Sequence, residues 1–168
     1  MLVISDTNIL SSFAAGNALP LLLRLFPDTT ILLPPAAQKE LQAGLVYGKN
    51  YLAEVLQAIA AGKLQIISLS NDEQQSAAKL PAKLGLGERE AIAGTQNRRG
   101  RLLSNDKQAI HYCKQHQINA MDLPVLLRLL WKRKILSQTE VRTLIDRMKA
   151  VENLQLNQRA LALIFSPN

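Results

Sequence analysis

The sequence predicts a three-layer α/β/α fold around a mainly parallel sheet of five strands. Three observations lead there. Short apolar runs alternate with segments of helical periodicity, which is the pattern of βαβ units. The chain has 168 residues, the length of one domain able to bury a sizeable core. Its 48% hydrophobic and 20% charged residues are globular composition, unlike that of a disordered chain.

Leu2-Val3-Ile4-Ser5 reads as the first strand and ends at Asp6. Leu19, Leu22, Leu23 and Phe26 recur at helical spacing and predict a helix over 17–26. The second strand is Thr30-Ile31-Leu32-Leu33; Pro34-Pro35 stops it, and Pro35 suits the first turn of a helix over 35–43 closed by Gly44. A helix over about 51–61 ends at Gly62, and the third strand follows at 64–69. Helices over 71–80 and 88–97 are separated by Pro81 and the Gly85-Leu86-Gly87 turn. The fourth strand is 101–104, a helix covers 107–115, and the fifth strand is 118–121. Helices over 124–134 and 138–151 close the pattern. No linker, repeat or low-complexity segment interrupts it, so residues 1–168 read as a single domain with a C-terminal helical extension from about 123.

Several function classes fall away. One cysteine, Cys113, forms no disulfide within the chain and no multi-cysteine zinc site. His111 and His116 stand five apart, off the spacing of a helical metal pair, and read as surface residues. Arg24 and Arg128 interrupt the apolar stretches well short of the roughly 18 residues of a membrane helix. The opening Met1–Asp6 lacks the basic region of a secretory signal, so a cytoplasmic protein with no membrane partner is expected. Charge is divided unevenly: residues 1–80 carry 5 Lys+Arg against 6 Asp+Glu, and residues 81–168 carry 15 against 7. A half with net charge +8 favours a polyanionic partner, nucleic acid before membrane.

Acids fall where such a partner would be processed. In open α/β sheets the ligand crevice lies beyond the carboxyl ends of strands, at the point where strand order reverses. Asp6 follows the first strand and Asp106 the fourth, so these two face each other if those strands are neighbours. Glu40 lies on the helix after the second strand, and Glu88 opens the helix leading to the fourth. Each acid also has a plain reading: Asp6 and Asp106 as helix caps, Glu88 as a complement to a helix dipole, Glu40 as a solvated residue. Four acids around one crevice repel unless a hard divalent cation compensates, and bound Mg²⁺ or Mn²⁺ can activate water and clamp a phosphoryl group. Thr7 and Asn8 are small polar residues able to orient a carboxylate or water.

Asp6-Thr7-Asn8, Glu40 in Gln38-Lys39-Glu40-Leu41, Glu88 in Gly87-Glu88-Arg89-Glu90-Ala91 and Asp106 in Leu103-Ser104-Asn105-Asp106 together resemble the PIN-domain family. The resemblance runs from about Leu2 to the region of Leu123, with 34, 48 and 18 residues between successive acids. It implies a parallel sheet of order 3-2-1-4-5, and metal-dependent cleavage of RNA phosphodiesters, often by a VapC-type toxin with a small antitoxin partner. It assigns Asp6, Glu40, Glu88 and Asp106 to the catalytic metal site, holding one or two Mg²⁺ or Mn²⁺ ions, with Thr7, Asn8 and Ser104 in support. The third acid is Glu where many members have Asp. Glu90 competes with Glu88, but a two-residue step turns a helix by about 200°, so both cannot face one site; Glu88 lies nearer the helix start.

Two other functions fit the same fold class. A catalytically silent nucleic-acid-binding or regulatory module would be expected to have lost one or two of the acids. An aspartyl-phosphate enzyme needs a second Asp two residues after the first, where Asn8 stands. In the last two helices Leu126, Leu127, Leu130 and Trp131 form one apolar stripe and Val141, Leu144, Ile145 and Met148 another. Packing within the chain is the favoured use of both, with a homodimer contact as the alternative.

Overall fold

The strands are short and apolar because the sheet is covered on both faces. The computed structural model describes residues 2–167. In it β1 (Val3–Ser5), β2 (Ile31–Leu33), β3 (Leu64–Ile66), β4 (Arg101–Leu103) and β5 (Ala120–Met121) pair in the order β3-β2-β1-β4-β5. All four pairings are parallel. The expected order is therefore observed, and Ser5 of β1 lies in register with Leu103 of β4.

The helices are α1 (Thr7–Ala15), α2 (Leu19–Leu25), α3 (Pro35–Val46), α4 (Ala53–Ala60), α5 (Asn71–Lys79), α6 (Leu86–Asn97), α7 (Lys107–Gln115), α8 (Leu123–Lys132), α9 (Gln138–Glu152) and α10 (Gln158–Phe165). Side chains alternate across a strand, so Val3 and Ile4 of β1 enter different cores. Val3 joins a large apolar cluster built from α1 to α4 and α8 to α10, whereas Ile4 joins a smaller one from α5, α6 and α7. This is the three-layer arrangement. No helix among the described residues is long and apolar enough to cross a membrane.

Both C-terminal stripes are used inside the chain. Leu126, Leu127, Leu130, Val141, Leu144 and Met148 are fully buried, and Trp131 packs against the same cluster. Trp131 Nε1 donates to the carbonyl of Ile164 at 2.6 Å, which fastens α10 to α8.

Several elements differ from those expected: the third strand ends at Ile66, the fifth starts at Ala120, and α6 starts at Leu86, inside the expected Gly85-Leu86-Gly87 turn. Three further differences have a physical reason. The sequence pattern gave no helix after Asp6, yet α1 is there. Its Ile9, Leu10, Phe13, Ala14 and Ala15 are buried, and its polar face is only Asn8, Ser11 and Ser12, small uncharged residues that give a weak amphipathic signal. The helix expected to close at Gly44 continues to Val46. Gly44 is a packing position, because a Cβ there would collide with Leu52 Cδ1. No helix was expected at α10, which is too short to be stable alone; it is capped by Asn157, packs on α8 and places Phe165 under Arg142 of α9.

Candidate active site

Local rules place the two aspartates. Asp6 follows β1 directly and caps α1, its Oδ1 accepting from Ile9 N–H at 3.1 Å. Asp106 follows β4 by two residues and caps α7, its Oδ1 accepting from Ala109 N–H at 2.7 Å. The capping role and the crevice position are thus not alternatives. Each cap consumes one carboxylate oxygen and fixes the other.

Ser104 joins the pair. Its buried Oγ donates to Asp6 Oδ2 in a short hydrogen bond and accepts from the Asp106 backbone N–H at 3.1 Å. The β1–β4 pairing makes this contact possible, since Asp6 N–H also donates to Leu103 O at 2.9 Å. Asp6 is 2% exposed. Burial pushes its carboxyl up to about 7, with the nearby Glu88 carboxylate adding to the rise and the bonds from Ser104, Ile9 and Asn8 opposing it.

The two glutamates flank the start of α6. Glu40 Oε2 accepts from Thr7 Oγ1 at 2.6 Å. A Cβ at Gly87 would stand 2.6 Å from Glu40 Oε1, so the glycine leaves room for this carboxylate against α6, and a larger residue would push it aside. Glu88 folds back over Gly85, the capping residue of α6, in a contact that a Cβ would block. Glu90 is engaged elsewhere: its Oε2 accepts from Ala36 N–H at 2.7 Å, at the first turn of α3.

The contacts link the four acids one to the next and through hydroxyl groups. Among the described residues no three His, Cys, Asp or Glu side chains form a group that could hold one ion. Asp6 senses Glu88, Asp106 is linked to Asp6 through Ser104, and Glu40 is held by Thr7. Like charges repel, and each acid takes the hydrogen bond nearest to it.

Beside this edge opens a cavity of about 730 Å³, lined by Asn8, Asn105 and Asp106. Its far walls are Tyr47 to Lys49, Tyr51 and residues 150–154. Sequence reasoning missed one acid here, Glu152 at the end of α9. Its Oε2 accepts from Ser11 Oγ at 3.1 Å, and its Oε1 takes a short bond from Ser12 Oγ. An earlier recognition of α1 would have placed Ser11 and Ser12 one turn after Asn8, on the same face. Nothing in the sequence signals Glu152, which reaches α1 across about 140 residues. Cys113 is buried, and burial pushes its thiol up to about 11, so it is no nucleophile.

Fold and site together define a three-layer α/β protein with acids gathered at the carboxyl edge of neighbouring strands β1 and β4. A family model for the PIN domain (DUF3368) matches residues 2–166, and the chain belongs to the PIN-domain family. PIN domains are generally nucleases. The crystal structure of VapBC2 from Rickettsia felis bound to a DNA fragment from their promoter holds a chain of the same fold. The two are 19% identical with a TM-score of 0.54, over 73% of this chain and 98% of that one. No functionally curated protein matches the sequence significantly.

Proposed function

We propose that this protein is a Mg²⁺- or Mn²⁺-dependent endoribonuclease, the toxin of a toxin–antitoxin pair in the cytoplasm, with a small antitoxin protein as partner. One observation carries the reading: Asp6 is buried without a cation, in contact with Ser104 and under the influence of Glu88. A carboxylate in that position is strained when ionised, and a hard cation relieves both its burial and the repulsion. The donor set is all oxygen, as Mg²⁺ and Mn²⁺ require. Asp6, Glu40, Glu88 and Asp106 would hold one or two such ions, the longer glutamate side chains turning inward to do so, since without an ion no three acids of the described residues form a ligand group.

When bound, the ion supplies Lewis acidity, making water easier to deprotonate and neutralising charge on the phosphate. The protein does the rest. Ser104 fixes the orientation of Asp6 Oδ2 and anchors the backbone that carries Asp106. Thr7 aims Glu40 toward the same edge, and Gly85 and Gly87 give the glutamates room against α6. Exposed Asn8 lines the cavity and is free to orient water or a phosphate oxygen.

The test is cleavage of a labelled single-stranded RNA by purified protein with Mg²⁺ or Mn²⁺. Cleavage should stop in excess EDTA, and Asp6→Asn should slow it by at least about a hundredfold, roughly 3 kcal/mol of barrier, with far-UV circular dichroism unchanged. Full activity in EDTA or in the Asp6→Asn variant overturns the reading. Absence of any cleavage with intact RNA binding would favour the silent nucleic-acid-binding module.

A further inference from the structure

A second cavity, of about 620 Å³, adjoins the candidate active site through Asn105, which lines both. Its walls are α7 and the chain from Gln155 into α10. The charge on these walls is one-sided. Lys107 and Lys114 come from the same side of α7, about two helix turns apart, and Arg159 lines the cavity from α10. All three are exposed, and among the described residues no carboxylate pairs with any of them. The one acid on the lining, Asp122, is occupied in capping α8, its Oδ1 accepting from Val125 N–H at 3.0 Å.

The floor differs from the rim. Ile110, Leu156 and Leu163 are apolar, and Leu163 is 38% exposed. A cationic rim over an apolar floor suits a single nucleic-acid strand, with phosphates on the rim and base faces on the floor. A duplex hides its base faces and would use only the rim. Apart from His111 no aromatic side chain lines this cavity, so phosphate contacts carry most of the grip, and these do not read sequence.

We propose that this groove binds the single-stranded RNA segment flanking the cleaved phosphodiester, with Lys107, Lys114 and Arg159 as its phosphate contacts. The proposal rests on the ribonuclease reading for the identity of the strand. It adds that the C-terminal segment from Gln155 onward is half of the substrate path. The α10 segment, fastened to α8 by Trp131, then has a task beyond packing.

Binding and cleavage are measured separately. Fluorescence anisotropy of a labelled single-stranded RNA is followed against salt, in the full chain carrying Asp6→Asn so that the RNA stays intact. Adding Lys107→Ala, Lys114→Ala and Arg159→Ala together should weaken binding at least about tenfold at 0.1 M salt and flatten the slope of log K against log salt by about 2, near 0.7 per lost phosphate contact. Arg159→Gln alone should flatten it by about 0.7. Replacing Lys63, Lys79 and Lys83, none of which lines either cavity, removes the same charge and should leave the slope unchanged. Equal losses in the two triple variants, or an unchanged slope in the first, overturn the groove. A loss confined to duplex DNA overturns the choice of occupant. Neither outcome touches the cleavage test on Asp6, whose failure would be read in the unsubstituted chain.

Discussion

Two carboxylates in this molecule are buried almost equally and live in opposite electrostatic worlds. Asp6 is 2% exposed and Glu73 is 3% exposed. Glu73 sits at the start of α5, where it closes a capping box with Ser70 and grips Arg98 through both oxygens, at 2.6 and 2.9 Å. Its hydrogen bond and ion pair with Arg98 hold its carboxyl below the usual carboxylate range. Asp6 has hydroxyl and amide donors but no cation, and burial lifts its carboxyl to about 7. The difference separates structure from function. Glu73 has its counter-ion built in, whereas none of the described residues supplies one to Asp6, which is where the proposed cation would act.

Exchanging the environments should separate the two roles. Asp6→Asn, already expected to remove cleavage, should leave the fold intact, and Arg98→Met should do the reverse. Losing Arg98 strands Glu73 at the α5 N-terminus, which costs about 1.5 to 3 kcal/mol, below the full price of a buried pair because Arg98 is partly solvated. Urea denaturation should show this loss at pH 7, with cleavage per folded molecule unchanged. The gap should narrow on acidification: the folded pKa of Glu73 is depressed, so its contribution is present above the unfolded value near 4.5 and disappears as pH falls through the folded one.

Asp6 should show the opposite sign. Between its unfolded value of 3.8 and its folded value of about 7, the native state keeps a proton that the unfolded chain has released. Stability contributed by this group therefore declines as pH rises through that window and is lowest above it. Asp6→Asn should raise stability at pH 8 by roughly 1 to 3 kcal/mol, and the gain should vanish below about pH 4. Mg²⁺ should stabilise the unsubstituted protein at pH 8 and leave Asp6→Asn unmoved, since a ligand stabilises only the state that binds it. Equal thermal shifts in both proteins would show that Asp6 holds no ion. The smallest effect is expected at Thr7. Thr7→Val removes the hydrogen bond to Glu40, and Mn²⁺ affinity by calorimetry should fall by about tenfold.

How legible the molecule was depends on the range of the interaction. The strands, most helices and the capping positions Asp6 and Asp106 were readable, because apolar periodicity and cap chemistry act within a few residues. Helix α1 was not, since it is mostly buried and its polar face is a few small uncharged residues, Asn8, Ser11 and Ser12. Gly44 looked like a stop and is a close contact with Leu52, because a glycine by itself does not say which of its two uses applies.

The sequence alone determined the layered fold class, the basic second half and the four acids, three at strand or helix ends and Glu40 within the helix after the second strand. Only the tertiary structure decided which oxygens those acids keep, that Glu90 serves α3 and not the crevice, and that Glu152 closes onto α1. It also decided that the unpaired cations Lys107, Lys114 and Arg159 share one groove. The reason is physical: charge and periodicity are properties of a residue and its near neighbours, whereas a pKa, a cavity or a hydrogen-bond partner belongs to the space that distant segments enclose when they pack.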